Sequence, residues 1–397
     1  MPSVPVDSGG EIADDTLEVR RHTLSKDGFL VVGAGNIGSA ALLLLTAYRN
    51  GRKYRLYCGD QDLDKAKRAV DDANKRADDI VAKAFELPPS GDLSGLECFD
   101  AVSVVLDCLP GGEAPRIAQA AVNSGCHYAN LTEYVDETRE IVERFAKAKT
   151  GLVLQTGLAP GFVNVLACQL IQRAKEKGIK PDDVRMRVGA LPMCAQAPHF
   201  YGITWSSIGV ATEYLKRSEC LREGLISDEE SLTRRELVVL AGETFEEALT
   251  SGGAANLPER FKGAISSLDY KTLRYPGHYE WVERLLKDNP TPESLDRRLA
   301  SDVPVVHEDR VVIYVSVEGS SGVGRERLDR LVEVRPSTVL CRKMSAIART
   351  TAASLVQIGF WLMQGSVAGV VFQTEIDARA FLDGDIVRTT YFGESTR

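Results

Sequence analysis

Apolar positions first gather along the chain at Phe29 to Val32, a short unbroken run that leads directly into a turn of closely spaced glycines. A run of this kind suits a parallel strand buried on both faces. Ser39 to Tyr48, with leucines at every position from Leu42 to Leu45, reads as the helix after the turn. The alternation then repeats. Strands are expected at Tyr54 to Cys58, Ile80 to Leu87, Asp100 to Asp107, His127 to Leu131 and Gly151 to Gln155, with helices at Ala114 to Ser124 and Val135 to Lys149. This order predicts an α/β fold with a Rossmann-type doubly wound parallel sheet.

The pattern breaks at Thr156 to Phe162, where Pro160-Gly161 marks a hinge before a helix from Val163 to Lys177. From Asp183 to Arg335 the strands lengthen, notably at Val311 to Val317 and Leu328 to Val334, with helices such as Glu280 to Leu286. That region reads as a second, α+β domain for substrate binding and dimerisation. The apolar helical stretch Ala346 to Met363 is expected to return to the first domain. The chain thus divides into a mobile tail (1–28), an NAD-binding domain (29–162), a substrate and oligomerisation domain (163–344) and a returning C-terminal segment (345–397).

The turn itself reads Gly33-Ala34-Gly35-Asn36-Ile37-Gly38, spaced for dinucleotide binding. Gly33 permits the tight turn, Gly35 lets backbone approach a pyrophosphate, and Gly38 lets the next helix pack closely on the sheet. Asn36 and Ile37 open that helix, whose free N–H groups and dipole favour an anion. Asp60 lies about twenty residues on, where a carboxylate can accept the ribose hydroxyls. Its charge repels a 2′-phosphate and Gln61 offers no cation, so NAD is expected over NADP. Asp60 could also cap the helix beginning near Leu63. Leu109 and Pro110 follow the Asp100 to Asp107 strand and are candidates for the nicotinamide side, since ligands bind beyond the carboxyl ends of such strands.

Composition narrows the class. The 397 residues suffice for two cores, and a net charge of -8 argues against a general nucleic-acid surface or an anionic-membrane binder. The eight cysteines show no Cys-x-x-Cys pair, so no metal site is expected. Several sit in apolar stretches as free thiols, which suits the reducing cytoplasm. The first 28 residues contain no apolar signal-peptide core, and no apolar stretch approaches the length of a membrane span.

Four blocks carry a resemblance: Val31 to Gly38; His127-Tyr128-Ala129-Asn130-Leu131; Thr156 to Asn164; and Leu268 to His278, reading LDYKTLRYPGH. With these the chain resembles the saccharopine dehydrogenase-like oxidoreductases, most of all their lysine 6-dehydrogenase branch. The resemblance implies a Rossmann domain joined to a smaller catalytic and oligomerisation domain. It implies NAD(P)-linked oxidation of an amine, or the reverse reduction of an imine, on an amino-acid or polyamine-type substrate. A homodimer or larger homo-oligomer is implied as well. The chain departs from these relatives at Asn130, where they usually carry Asp, and Glu133 nearby could supply the missing carboxylate.

Oxidation of an amine requires a neutral nitrogen lone pair, so the site must hold a base or disfavour the ammonium. Glu133, Tyr128, His199 and His278 are candidates for proton handling. Each has a plain structural alternative: Tyr128 as core, Glu133 as a first-turn charge, His199 as a loop residue, His278 as a helix start. Arg274 is the candidate anchor for a substrate carboxylate, because its planar fork can bind both oxygens; a surface salt bridge is its alternative. Thr204, Trp205 and Ser206 could line a pocket for an alkyl chain.

Overall fold

The computed structural model describes residues 26–49, 52–77, 81–133, 135–288, 290–365 and 367–393. The proposed mobile tail up to residue 25 and the expected strand start at Ile80 lie outside the described residues. Seven parallel strands form one sheet in the order Gly369–Phe372, Gly151–Leu154, His127–Asn130, Val104–Asp107, Gly28–Val32, Arg55–Asp60, Ala82–Glu86. The chain order reverses between Gly28–Val32 and Val104–Asp107, so a crevice opens beyond their carboxyl ends. The doubly wound sheet is therefore present. One expectation is shortened. Val104–Asp107 begins later than Asp100 because Glu97–Asp100 forms a helical turn that buries Cys98 and Phe99.

The helix Ala346–Met363 lies on this sheet and on the helix Asn36–Ala47. Its start is held by Asp309, whose two carboxylate oxygens accept the Ala346 and Ile347 N–H groups at 2.6 and 2.8 Å. Gly359 permits the close approach: a Cβ there would stand 3.1 Å from both Leu106 and Phe29 side chains. The strand Gly369–Phe372 then adds to the sheet edge beside Gly151–Leu154. The last two helices lie elsewhere. Asp385–Phe392 packs on Ala346–Met363 and Gly324–Val334, with Tyr391 stacked on Phe162.

The second sheet is mixed, in the order Glu236–Leu240, Glu243–Leu249, Ser267–Arg274, Lys180–Pro192, Asp309–Ser321, Gly324–Val334, with the hairpin Ser218–Arg222 and Leu225–Glu229 attached to Ser267–Arg274. The helix Phe162–Glu176 covers one face. On the other face a buried charge network ties three strands: Arg187 pairs with Glu247 and Asp269, each at 2.7 Å, and Lys271 pairs with Glu247 at 2.9 Å. Such pairs hold register more than they add stability, since desolvation consumes most of the attraction. Among the described residues no helix is long and apolar enough to cross a membrane.

Candidate active site

The glycine turn has the geometry of a phosphate cradle. Gly33 has φ +93°, and its N–H donates to the Gly59 carbonyl at 2.7 Å. A Cβ on Gly38 would fall 1.7 Å from the Gly33 carbonyl oxygen, so helix and turn touch only because Gly38 has none. Gly35 is different: a Cβ there meets nothing within 4 Å. The space beside it lies at the start of Asn36–Ala47, a helix without a side-chain cap. Unpaired main-chain donors facing open space fit a pyrophosphate.

Asp60 ends the neighbouring strand with its carboxylate engaged on two sides, accepting the Ala34 N–H at 2.7 Å and the Asp62 N–H at 3.0 Å. It is not the helix cap; Asp62 is, accepting the Lys65 N–H at 3.0 Å. The hydrogen bond from Ala34 ties Asp60 directly to the glycine turn, where a ribose would lie. Lys65 approaches Asp60 at 3.8 Å. Leu109 packs over Gly33, within 3.0 Å of a Cβ built there, and Pro110 is exposed at the crevice mouth.

A cavity of about 160 Å³ separates the two sheets. Ile37, Glu133 and Arg274 all line it, so three residues picked from distant stretches of sequence meet on one surface. Trp205 lines it too, its ring folded over Gly209, where a Cβ would clash at 2.3 Å. Glu133 is wedged against Gly252 of the second domain, which has φ +85° and no room for a side chain. Burial pushes the Glu133 carboxyl above its usual range, with Lys216 opposing.

Sequence reasoning missed Glu213, another lining residue. It sits on the helix Ser207–Leu215, whose Ser206 cap accepts the Gly209 N–H at 3.1 Å. Burial raises the Glu213 carboxyl to about 8; the Arg274 charge opposes this and Glu133 adds to it. Glu213 therefore tends to keep its proton at neutral pH. Glu213 is the one acidic residue of a largely apolar helix, SIGVATEYL, and that contrast was the signal available, though only the packing of the helix against the cleft makes it special. Tyr270 and Thr272, also on the wall, belong to the LDYKTLRYPGH block but were not singled out.

Arg274 is not a surface residue. It is 2% exposed, with Nε donating to the Tyr214 hydroxyl at 2.7 Å and Nη1 to the Leu273 carbonyl at 3.0 Å. The rings of Tyr201 and Tyr214 lie 4.7 and 5.5 Å from its guanidinium carbon. Among the described residues no carboxylate forms an ion pair with it. A buried cation whose direct hydrogen-bond partners are neutral is costly, on the order of a few kcal/mol, and an incoming carboxylate relieves that cost.

The remaining candidates do not reach the cavity wall. Tyr128 is fully buried beneath the parallel sheet and donates to Asp107 at 2.8 Å. Burial raises Asp107 to about 7, against the hydrogen bonds from Leu109 and Tyr128. His278 is fully buried behind Arg274, and His199 stands half-buried, edge-on to Trp281. Asn130 fastens two strand ends, its Oδ1 accepting the Gln155 N–H at 3.0 Å while its Nδ2 stays buried without a partner. Thr204 is buried beside Trp205, and Ser206 is the helix cap.

Residues 29–153 match the saccharopine dehydrogenase NADP binding domain, and residues 157–384 match the saccharopine dehydrogenase C-terminal domain. The chain is 25% identical over 209 residues, 49% of its length, to the α-aminoadipic semialdehyde synthase of Arabidopsis thaliana. It is 26% identical over 125 residues, 31% of its length, to the mitochondrial α-aminoadipic semialdehyde synthase of Bos taurus. The matched stretches span 20% and 14% of those relatives. Among solved structures, apo saccharopine dehydrogenase (L-Glu forming) from Saccharomyces cerevisiae superposes with a TM-score of 0.71 at 16% identity, covering 92% of this chain and 98% of that one. Homospermidine synthase from Legionella pneumophila, solved with NAD, gives 0.65 at 13% identity, covering 93% and 90%. At these identities the two structures establish the fold.

Proposed function

The chain belongs to the saccharopine dehydrogenase family, and from that premise we propose that it is a pyridine-nucleotide-dependent oxidoreductase acting on the C–N bond of an amino acid. The favoured substrate is lysine, or a near analogue, reacting at its side-chain amine, with NAD as the preferred nucleotide. One observation carries the reading: Arg274, a buried guanidinium without a carboxylate partner among the described residues, shares a cavity with the two raised carboxyls of Glu133 and Glu213. A substrate with a carboxylate at one end and an amine at the other satisfies both sides.

Bound nicotinamide would supply a hydride acceptor. Gly33, Gly35, Asn36, Ile37 and Gly38 would hold the pyrophosphate and present the cofactor toward the cavity, with Asp60 at the ribose and Leu109 and Pro110 at the nicotinamide side. Arg274 binds the carboxylate and thereby fixes how far the chain reaches. Glu133 takes a proton from the substrate ammonium and leaves the lone pair that hydride loss requires. The protonated Glu213 lies close enough to influence that charge. The apolar wall, including Ile37, Leu131 and Trp205, keeps water from the aliphatic chain.

Oxidation of the lysine side-chain amine followed by hydrolysis gives α-aminoadipic semialdehyde and ammonia. The name of the curated relatives contains that aldehyde, which favours a second reading: the same product released from a secondary amine such as saccharopine. A screen of NAD and NADP reduction with lysine, ornithine, saccharopine and diamines separates the two. Turnover of lysine with release of ammonia supports the first reading, and turnover of saccharopine alone supports the second. Nucleotide binding without turnover of any amine contradicts both and leaves a noncatalytic nucleotide-binding protein.

A further inference from the structure

Behind Arg274 runs a chain of hydrogen bonds whose directions are fixed by elimination. The His278 Nδ1 lies 2.8 Å from the His199 carbonyl, which can only accept, so that nitrogen carries the proton. Burial and the Arg274 charge push His278 down to about 3, so the ring is neutral and Nε2 has no proton. Nε2 must then accept the Tyr214 O–H, 2.9 Å away. The Tyr214 oxygen in turn accepts the Arg274 Nε–H at 2.7 Å. Every donor and acceptor of the His278 ring is used, and it has no capacity to exchange a proton with substrate.

We propose that Tyr214 and His278 are positioning residues which, anchored on the His199 carbonyl, fix the direction in which Arg274 presents its guanidinium to a substrate carboxylate. The inference rests on the reading of Arg274 as carboxylate anchor. Three elements supply the chain: Tyr214 from Ser207–Leu215, Arg274 from Ser267–Arg274, and His278 from His278–Leu286. Its far end is held as firmly as its middle. Gly277, with φ +100°, packs under the Phe200 ring, where a Cβ would come within 2.9 Å, so the loop carrying the His199 carbonyl is seated on the turn that begins the His278 helix. An arginine side chain has many rotamers, and holding Nε leaves the outer nitrogens one way to face. Tyr201 sits against both Arg274 and His278, with its ring 4.7 Å from the Arg274 guanidinium carbon and 5.0 Å from the imidazole.

The test is calorimetric titration of the NADH-loaded protein with hexanoate, a carboxylate without an amine, and with hexylamine, an amine without a carboxylate. Tyr214→Phe removes one oxygen and is expected to weaken hexanoate about tenfold while hexylamine and NADH bind as before. His278→Phe should do the same, and His278→Gln should recover part of the loss, because its amide oxygen can accept the Tyr214 O–H. If His278→Phe fails to fold, Tyr214→Phe decides alone. Unchanged hexanoate affinity in Tyr214→Phe, alongside a loss in Arg274→Met, overturns the inference and leaves the anchor reading standing. Unchanged affinity in Arg274→Met overturns both. Equal losses of hexanoate and hexylamine in Tyr214→Phe show general disturbance of the cavity and also overturn the inference.

Discussion

At the Gly33 to Gly38 turn the groups facing a ligand are main-chain N–H donors, whereas at the cleft they are the side chains of Glu133, Glu213 and Arg274, brought together from separate segments. The turn is shaped by the absence of side chains and works through dipoles that no substitution elsewhere can remove. The cleft is shaped by burial. Two carboxyls and a guanidinium sit where water cannot fully solvate them, and their properties come from one another. A backbone site should therefore fail sharply when a side chain is inserted, and a side-chain site should fail by degrees as charges are removed.

The largest effect belongs to the turn. Gly35→Val places atoms in the open space beside the phosphate cradle and is expected to weaken NAD at least a hundredfold in calorimetry with the fold intact. Retained affinity would break the comparison on its backbone side.

On the cleft side, Glu133→Gln removes the proposed base and should lower kcat by about 10²-fold or more without comparable loss of NAD affinity. A change confined to KM would instead mark Glu133 as a binding group. Glu213 sharpens the point through stability. Its carboxyl is raised to about 8 when folded and has the ordinary carboxylate value when unfolded, so between those values the folded state holds the extra proton. Wild-type stability should fall as pH rises from about 4.5 toward 8 and then level off with respect to this group. Glu213→Gln lacks that loss. Its advantage in urea unfolding should grow between pH 5 and 8.5, on the order of 2 kcal/mol after allowance for the cavity's access to water. A pH-independent difference would show that Glu213 does not carry the proton.

If Asp60 serves the ribose hydroxyls as proposed, Asp60→Ala is expected to weaken NAD about tenfold and NADP less, because the lost carboxylate would also no longer repel a 2′-phosphate. Equal losses would reduce Asp60 to its hydrogen bonds with Ala34 and Asp62. The smallest change lies at the outer strand Glu236–Leu240, an edge where Leu237 and Val239 are 68% and 65% exposed. If the proposed oligomer forms there, Val239→Lys should shift light scattering toward the monomer without altering NAD binding.

The parallel sheet was legible because its strands are unbroken apolar runs and its turns need glycine, both of which are written locally. The start of the Val104–Asp107 strand was misplaced because Asp100 closes the helical turn Glu97–Asp100, and Ala101, Val102 and Ser103 after it link that turn to the strand although their apolar content reads as strand. In the cleft, Arg274 was readable from its place at a strand end, but its burial was not. Tyr128 and His278 look like functional residues by type, yet tertiary contacts use up their polar atoms: Tyr128 donates to Asp107, and His278 bridges Tyr214 and the His199 carbonyl. Glu213 looked ordinary by type and acquires its raised carboxyl only from the elements packed around it.

The central claim is that Arg274 reads a carboxylate in a cleft where an amine is oxidised, and steady-state kinetics of Arg274→Met with lysine and with 1,5-diaminopentane tests it most directly. The account predicts that kcat/KM for lysine falls by roughly thirtyfold or more, corresponding to about 2 kcal/mol or more for a lost charged contact, mainly through KM, while the diamine is used as well as before. Equal loss on both substrates, or loss on neither, would contradict it.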